Sequence, residues 1–190
     1  MSQSNDKKES KEEETELSLE EGFQVNILDL IAVFASFAKK ITDKGVKSPV
    51  YMSMFSVAET YIKSQKSDKL IYDFIESSNK SWSKYDSKDE AILFSNVKSL
   101  FPAIPQAGID SLIAMLSIRD NKNRSIITDE DKKSIWEYVL EFIRMSVLYI
   151  HEQRCWGDKQ GGGRGYTKVF FKEIKVSEYA TMFKVALNRD

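Results

Sequence analysis

Along this chain apolar positions recur at helical spacing in one segment after another and only rarely alternate. From Phe23 to Thr42 the series Val25, Leu28, Ile31, Phe34, Ala38 and Ile41 advances by three or four residues, predicting a helix closed by Gly45 and Pro49. A second helix is expected from Ser48-Pro49, where proline suits the first turn, with Tyr51, Met54, Phe55, Ala58, Tyr61 and Ile62 on its apolar side. A third starts at Ser67 and carries Leu70, Ile71, Phe74 and Ile75. Between Ser77 and Lys88 the composition shifts to Ser, Asn, Lys and Asp around Trp82 and Tyr85, which reads as a loop. Ser87 or Asp89 can cap the helix that follows, with Ile92, Leu93, Val97, Leu100 and Phe101 facing inward. Pro102 and Pro105 bracket an extended Ala103-Ile104 turn, since proline disfavours helix in the residue before it. Ile109 to Ile118 is apolar enough to be internal, and Arg119 to Arg124 is a charged turn.

Thr128 to Trp156 reads as one long helix around which the rest folds. Thr128 and Asp131 make a capping-box-like pair, and Asp129, Glu130 and Asp131 face the positive end of the helix dipole. Ile135, Val139, Ile143 and Ile150 share a face with Trp136, Leu140 and Val147, and Tyr138, Phe142, Met145 and Tyr149 form an adjoining stripe. Only Lys133, Glu137, Glu141, Arg144, His151 and Glu152 remain for a narrow wet face, so the helix must be wrapped on several sides. Gly157, then Gly161, Gly162 and Gly163, are expected to end it. Beyond them Val169 to Val176 alternates imperfectly as a strand would, and Ser177 can cap a last helix with Tyr179, Met182, Phe183 and Ala186 inward.

The fold class this predicts is all-α, a single-domain bundle of six or seven helices. Residues 1–21 form a disordered acidic tail, 22–156 the bundle, 157–168 a Gly-rich linker, and 169–190 a segment that packs back. A chain of 190 residues with 42% hydrophobic content supplies one well-packed core, and two would be cramped. Met1 to Glu21 hold three lysines against eight acids, a net of −5, against −1 for the whole chain; the remainder therefore carries +4. That is far from the excess of a dedicated nucleic-acid binder. Cys155 is alone, which excludes an internal disulfide and a thiolate metal cluster and fits a reducing, intracellular setting. The longest apolar run, Leu30 to Ala38, is too short to span a membrane.

Three constellations merit chemical scrutiny. His151 and Cys155 lie four residues apart on one helix face, the spacing of a thiolate–imidazolium nucleophile, but no oxyanion donor or orienting acid can be set beside them; the plain alternative is a helix-end histidine beside a small thiol. Gly157 to Lys168 is glycine-rich without the Gly-Lys-Ser/Thr of a phosphate loop, and it follows a helix where such a loop follows a strand. Arg164, Tyr166 and Lys168 there resemble arginine–glycine segments that engage single-stranded nucleic acid; a flexible linker is the alternative. Trp82 and Tyr85, flanked by Lys80 and Lys84, are either an exposed partner anchor or rings tucked into the bundle end. The acidic run at Asp129 needs no metal, being explained by its place at a helix start. No catalytic residue, cofactor, metal or small-molecule substrate is assigned.

Leu100-Phe101-Pro102-Ala103-Ile104-Pro105 followed by Ile135-Trp136-Glu137-Tyr138-Val139-Leu140 resembles small helical proteins encoded by nucleocytoplasmic large DNA viruses. The likeness covers about Ala91 to Tyr149, and its motifs are short. It implies an intracellular viral protein, a virion or assembly component, and supplies no catalytic residues. The expected function is a non-enzymatic structural or interaction protein that binds other proteins or itself. The alternative is a nucleic-acid-associated module built on the Gly/Arg segment and the basic aromatic one.

Overall fold

The computed structural model describes residues 17–46, 49–101, 104–160 and 171–187. Its helices are α1 (Leu19–Asp43), α2 (Pro49–Ser64), α3 (Ser67–Ser78), a 3₁₀ turn (Asn79–Ser81) running into the short α4 (Trp82–Tyr85), α5 (Glu90–Leu100), α6 (Gln106–Leu116), α7 (Asp129–Gln160) and α8 (Val176–Met182). Among the described residues there is no strand, only one isolated bridge between Arg119 and Ser125 that closes the expected charged turn.

Local chemistry marks the ends. Ser18 accepts from the Glu21 amide at 3.2 Å while Glu21 accepts from the Ser18 amide at 3.0 Å, a full capping box that starts α1 four residues before Phe23. The polar tail therefore gives way to helix at Leu19, inside the stretch expected to be disordered; residues 1–16 lie outside the described chain. At the other end the Val46 and Gly45 amides close back on Ile41 and Thr42, with Gly45 at φ +84°, where a side chain would be strained. Asp89 caps α5 through the Ala91 amide at 2.8 Å. Thr128 and Asp131 cap α7 as expected: the Asp131 amide donates to Thr128 Oγ1 at 3.2 Å, and the Thr128 amide to Asp131 Oδ2 at 2.7 Å.

Two long helices organise the bundle. α7 is buried over most of its circumference, and Lys133, Glu137 and Glu152 stay in water. It packs on α1, α3 and α8, while α1 packs in turn on α2, α3 and α7. Phe23, Phe74 and Phe142, one from each of α1, α3 and α7, meet with ring centroids 5.1 to 5.7 Å apart at the centre. Each such ring stabilises the fold by roughly 2 kcal/mol through burial, before the entropy of ordering is set against it.

Several expectations change. α7 passes through Gly157 and runs to Gln160, because one glycine costs about 1 kcal/mol in a helix and a well-packed rod absorbs it. Phe171 to Lys175 form turns, so the described part of the expected strand is not one; burial of Phe171 and Ile174 explains their apolar character instead. Ser177 lies inside α8, which starts at Val176 without a side-chain cap, and Ala186 is exposed beyond its end. The segment does lie against the bundle: Phe171 packs on Tyr72 at 5.5 Å, Arg144 Nε donates to the Phe183 carbonyl at 3.2 Å, and Arg154 donates to the carbonyls of Phe171 and Ile174. Pro102, Ala103, Val169 and Phe170 lie outside the described residues.

Candidate functional site

The α4 turn does not present its rings. Trp82 and Tyr85 are each 0% exposed. A spacing of three puts both on one face of the short helix, and the polar residues between and around them take the other. Trp82 meets Tyr179 of α8 at 5.3 Å and donates its indole N–H to Ser78 Oγ at 2.9 Å, while Tyr85 meets Trp136 of α7 at 6.1 Å. The Tyr85 hydroxyl has no hydrogen-bond partner of ordinary geometry; burial pushes its pKa up to about 12, with the nearby Ser81 opposing. Lys80 and Lys84 stay exposed, but without rings beside them they are no aromatic anchor. Of the two readings for this stretch, the fold has the one in which the rings tuck inside.

Arg164, Tyr166 and Lys168 lie outside the described residues, so the Gly/Arg constellation has no geometry to weigh. His151 and Cys155 do approach each other, Nε2 to Sγ 3.8 Å, with Cys155 exposed. Glu152 beside them has its carboxyl pushed upward, by burial first and then by the Glu20 carboxylate. His151, Glu152 and Cys155 do not line the apolar hollow described below. At the start of α7, Asp131 is engaged by Lys40 Nζ at 2.6 Å and by Thr128. Among the described residues no three His, Cys, Asp or Glu side chains gather as metal ligands, and no helix is long and apolar enough to cross a membrane.

A large concave feature among the described residues lies elsewhere, and α2 helps to create it. This helix carries two apolar stripes. Phe55 and Ile62 are buried, and Phe55 stacks on Phe34 of α1 at 6.0 Å. Gln24 of α1 donates to the carbonyls of Ile62 and Gln65, tying down the C-terminal end. Met54, Val57, Ala58 and Tyr61, spaced i, i+3, i+4, i+7, form the second stripe, and Val57 and Tyr61 are 70% and 43% exposed. That stripe walls a hollow of about 700 Å³. α1 packs on α2 and α3, α5 on α3 and α6, and α2 on α6, so five helices close a ring around it, with Phe142 of α7 at the bottom.

Small side chains are why the space stays open. Ala107, Gly108 and Ser111 of α6 and Ala58 of α2 line it. Gly108 is the tight point, since a Cβ there would come within 2.9 Å of the Ile104 side chain. An enclosed apolar void of about 700 Å³ would cost roughly 17 kcal/mol at ~24 cal/mol per Å³. That exceeds the ~5–15 kcal/mol by which a whole domain is stable, so the hollow persists only because it opens to solvent past Val57 and Tyr61. Among the described residues Asp73 is the one charged residue lining it, and Lys69, one helical turn earlier, is ion-paired to it; that carboxylate holds the Lys69 ammonium above its ordinary range.

The sequence pattern did not single out this site. Its signal was an apolar surplus on α2, where Val57 and Met52 fall off the stripe that packs on α1. Fold and site together define an all-α bundle built around an apolar hollow. Comparison with protein-family models, curated proteins and solved structures gives no match.

Proposed function

We propose that this is a non-enzymatic binding protein that acts by holding a partner in the hollow between α2, α3 and α6. One observation carries the reading: the large concavity is apolar almost throughout, and Asp73, its single carboxylate among the described residues, is already engaged by Lys69. Such a surface gains free energy by excluding water and has no convergent acid, base or nucleophile to spend on a substrate. The likeness of the Ala91 to Tyr149 stretch to proteins of large DNA viruses supports extending the reading to a component of a viral particle or its assembly.

Gentle purification of the full chain followed by native mass spectrometry tests it. The expected result is a bound partner, protein or small molecule, that is lost in Val57→Glu and Tyr61→Glu. Both positions are exposed, so these charges leave the fold intact while spoiling the apolar mouth. Recovery of the bare chain alone, or retention of the partner in both variants, overturns the reading.

A further inference from the structure

Resting on that reading, we propose that the hollow is the binding site for a single-chain apolar amphiphile, a long-chain fatty acid or the corresponding alcohol. Depth decides against a bulkier guest. The hollow reaches from Val57, 70% exposed, down to Phe23 and Phe142, each 1% exposed, in the middle of the bundle. A helix is about 10–12 Å across with its side chains and would have to part the walls to touch that floor. A polymethylene chain needs only successive contacts at about 4 Å, and Ala58, Ala107 and Ser111 leave the lateral room for it. About 700 Å³ lies within the ~300–1,000 Å³ usual for small-molecule sites.

Polarity sets the orientation. Deep in the hollow the lining is Phe23, Leu30, Phe74, Leu100 and Phe142, all buried and without a polar side-chain atom. Ser53, Tyr61, Asp73 and Ser111 are the lining residues with polar side chains, and all four are partly or fully exposed. One polar end therefore stays at the rim while the chain goes inward. The rim carries no net charge, because Lys69 answers Asp73, so a hydroxyl head fits as well as a carboxylate and binding is insensitive to salt.

Displacement of the fluorescent fatty acid cis-parinaric acid from the full chain, with palmitic acid and hexadecanol as separate competitors, measures this directly. Ala58→Leu and Ser111→Leu fill the hollow from two of its walls, α2 and α6, on helices whose propensity leucine suits. Ser111 donates to the Ala107 carbonyl of its own helix, so its loss breaks no tertiary bond. Each variant is expected to weaken binding by about tenfold or more, the loss when roughly two methylenes are kept out of an apolar site. Each should also melt higher than the parent, a combination that mere damage to the fold would not produce. Displacement by both competitors is the expected result and identifies the alkyl chain as the recognised group, whereas displacement by palmitic acid alone would show that a charged head is required and overturn the neutral rim. Absence of saturable parinarate binding, or binding unchanged in both variants, overturns the inference. If a partner then still depends on Val57 and Tyr61, the binding-protein reading stands without it.

Discussion

Ser78 and Tyr85 show how differently two buried polar atoms can count. Ser78 Oγ donates to the Phe74 carbonyl at 2.6 Å and accepts from the Trp82 indole, so it serves two groups at once. Ser78→Ala strands the indole N–H in a fully buried site and is expected to cost about 1–3 kcal/mol. The Tyr85 hydroxyl serves no group with ordinary geometry, so Tyr85→Phe should change stability by between zero and about 1 kcal/mol, in the stabilising direction. Urea denaturation followed by tryptophan fluorescence reads both, and equal destabilisation in the two variants would contradict the assignment. Neither burial was legible from local composition. Trp82 and Tyr85 sit in a Ser-, Lys- and Asp-rich stretch whose partners, Trp136 and Tyr179, lie some fifty and a hundred residues on.

Among the elements, α7 and α2 mark the range of what pattern reveals. The start and wide apolar arc of α7 are in its own residues and the structure has them as expected, but of the expected wet face Glu141, Arg144 and His151 are half-buried, Arg144 reaching the Phe183 carbonyl of the segment that packs there. Its N-terminal cap also makes a pH-dependent tie. Burial of Asp131 opposes its ionisation, but the Lys40 ammonium and the Thr128 amide and hydroxyl outweigh this and hold its carboxyl below the usual 3.8. The folded state thus releases this proton more readily than the unfolded one, and the linked stability is full above that unfolded value. It is lost as the pH falls through the folded value. Asp131→Asn should destabilise the protein at neutral pH and lose its difference from the parent in strong acid, a trend that denaturation along a pH series checks. For α2 the pattern named most of the apolar residues but not which would be covered, because Met54, Ala58 and Tyr61 follow the same helical spacing as Phe55 and Ile62.

At the level of the whole molecule, the segment after the glycine run is part of the core. Phe171 is 2% exposed, packs on Tyr72 of α3, and its carbonyl accepts from Arg154 of α7, whose guanidinium pKa burial lowers. Phe171→Ala should cost about 3–5 kcal/mol and lower the midpoint of a single cooperative transition. A separate early transition would show instead that the segment folds independently. The long helices, the caps at Asp89 and Thr128 and most apolar faces were written in local spacing, since a turn of helix satisfies its own backbone and its neighbours within four residues decide it; the Ser18 cap and the short helix in the stretch expected to be a loop were not. Which faces meet, which rings vanish into the core, and where small residues from α2 and α6 leave a hollow depended on residues far apart in the chain. Burial is settled by what arrives from elsewhere, and only the folded bundle brings those surfaces together.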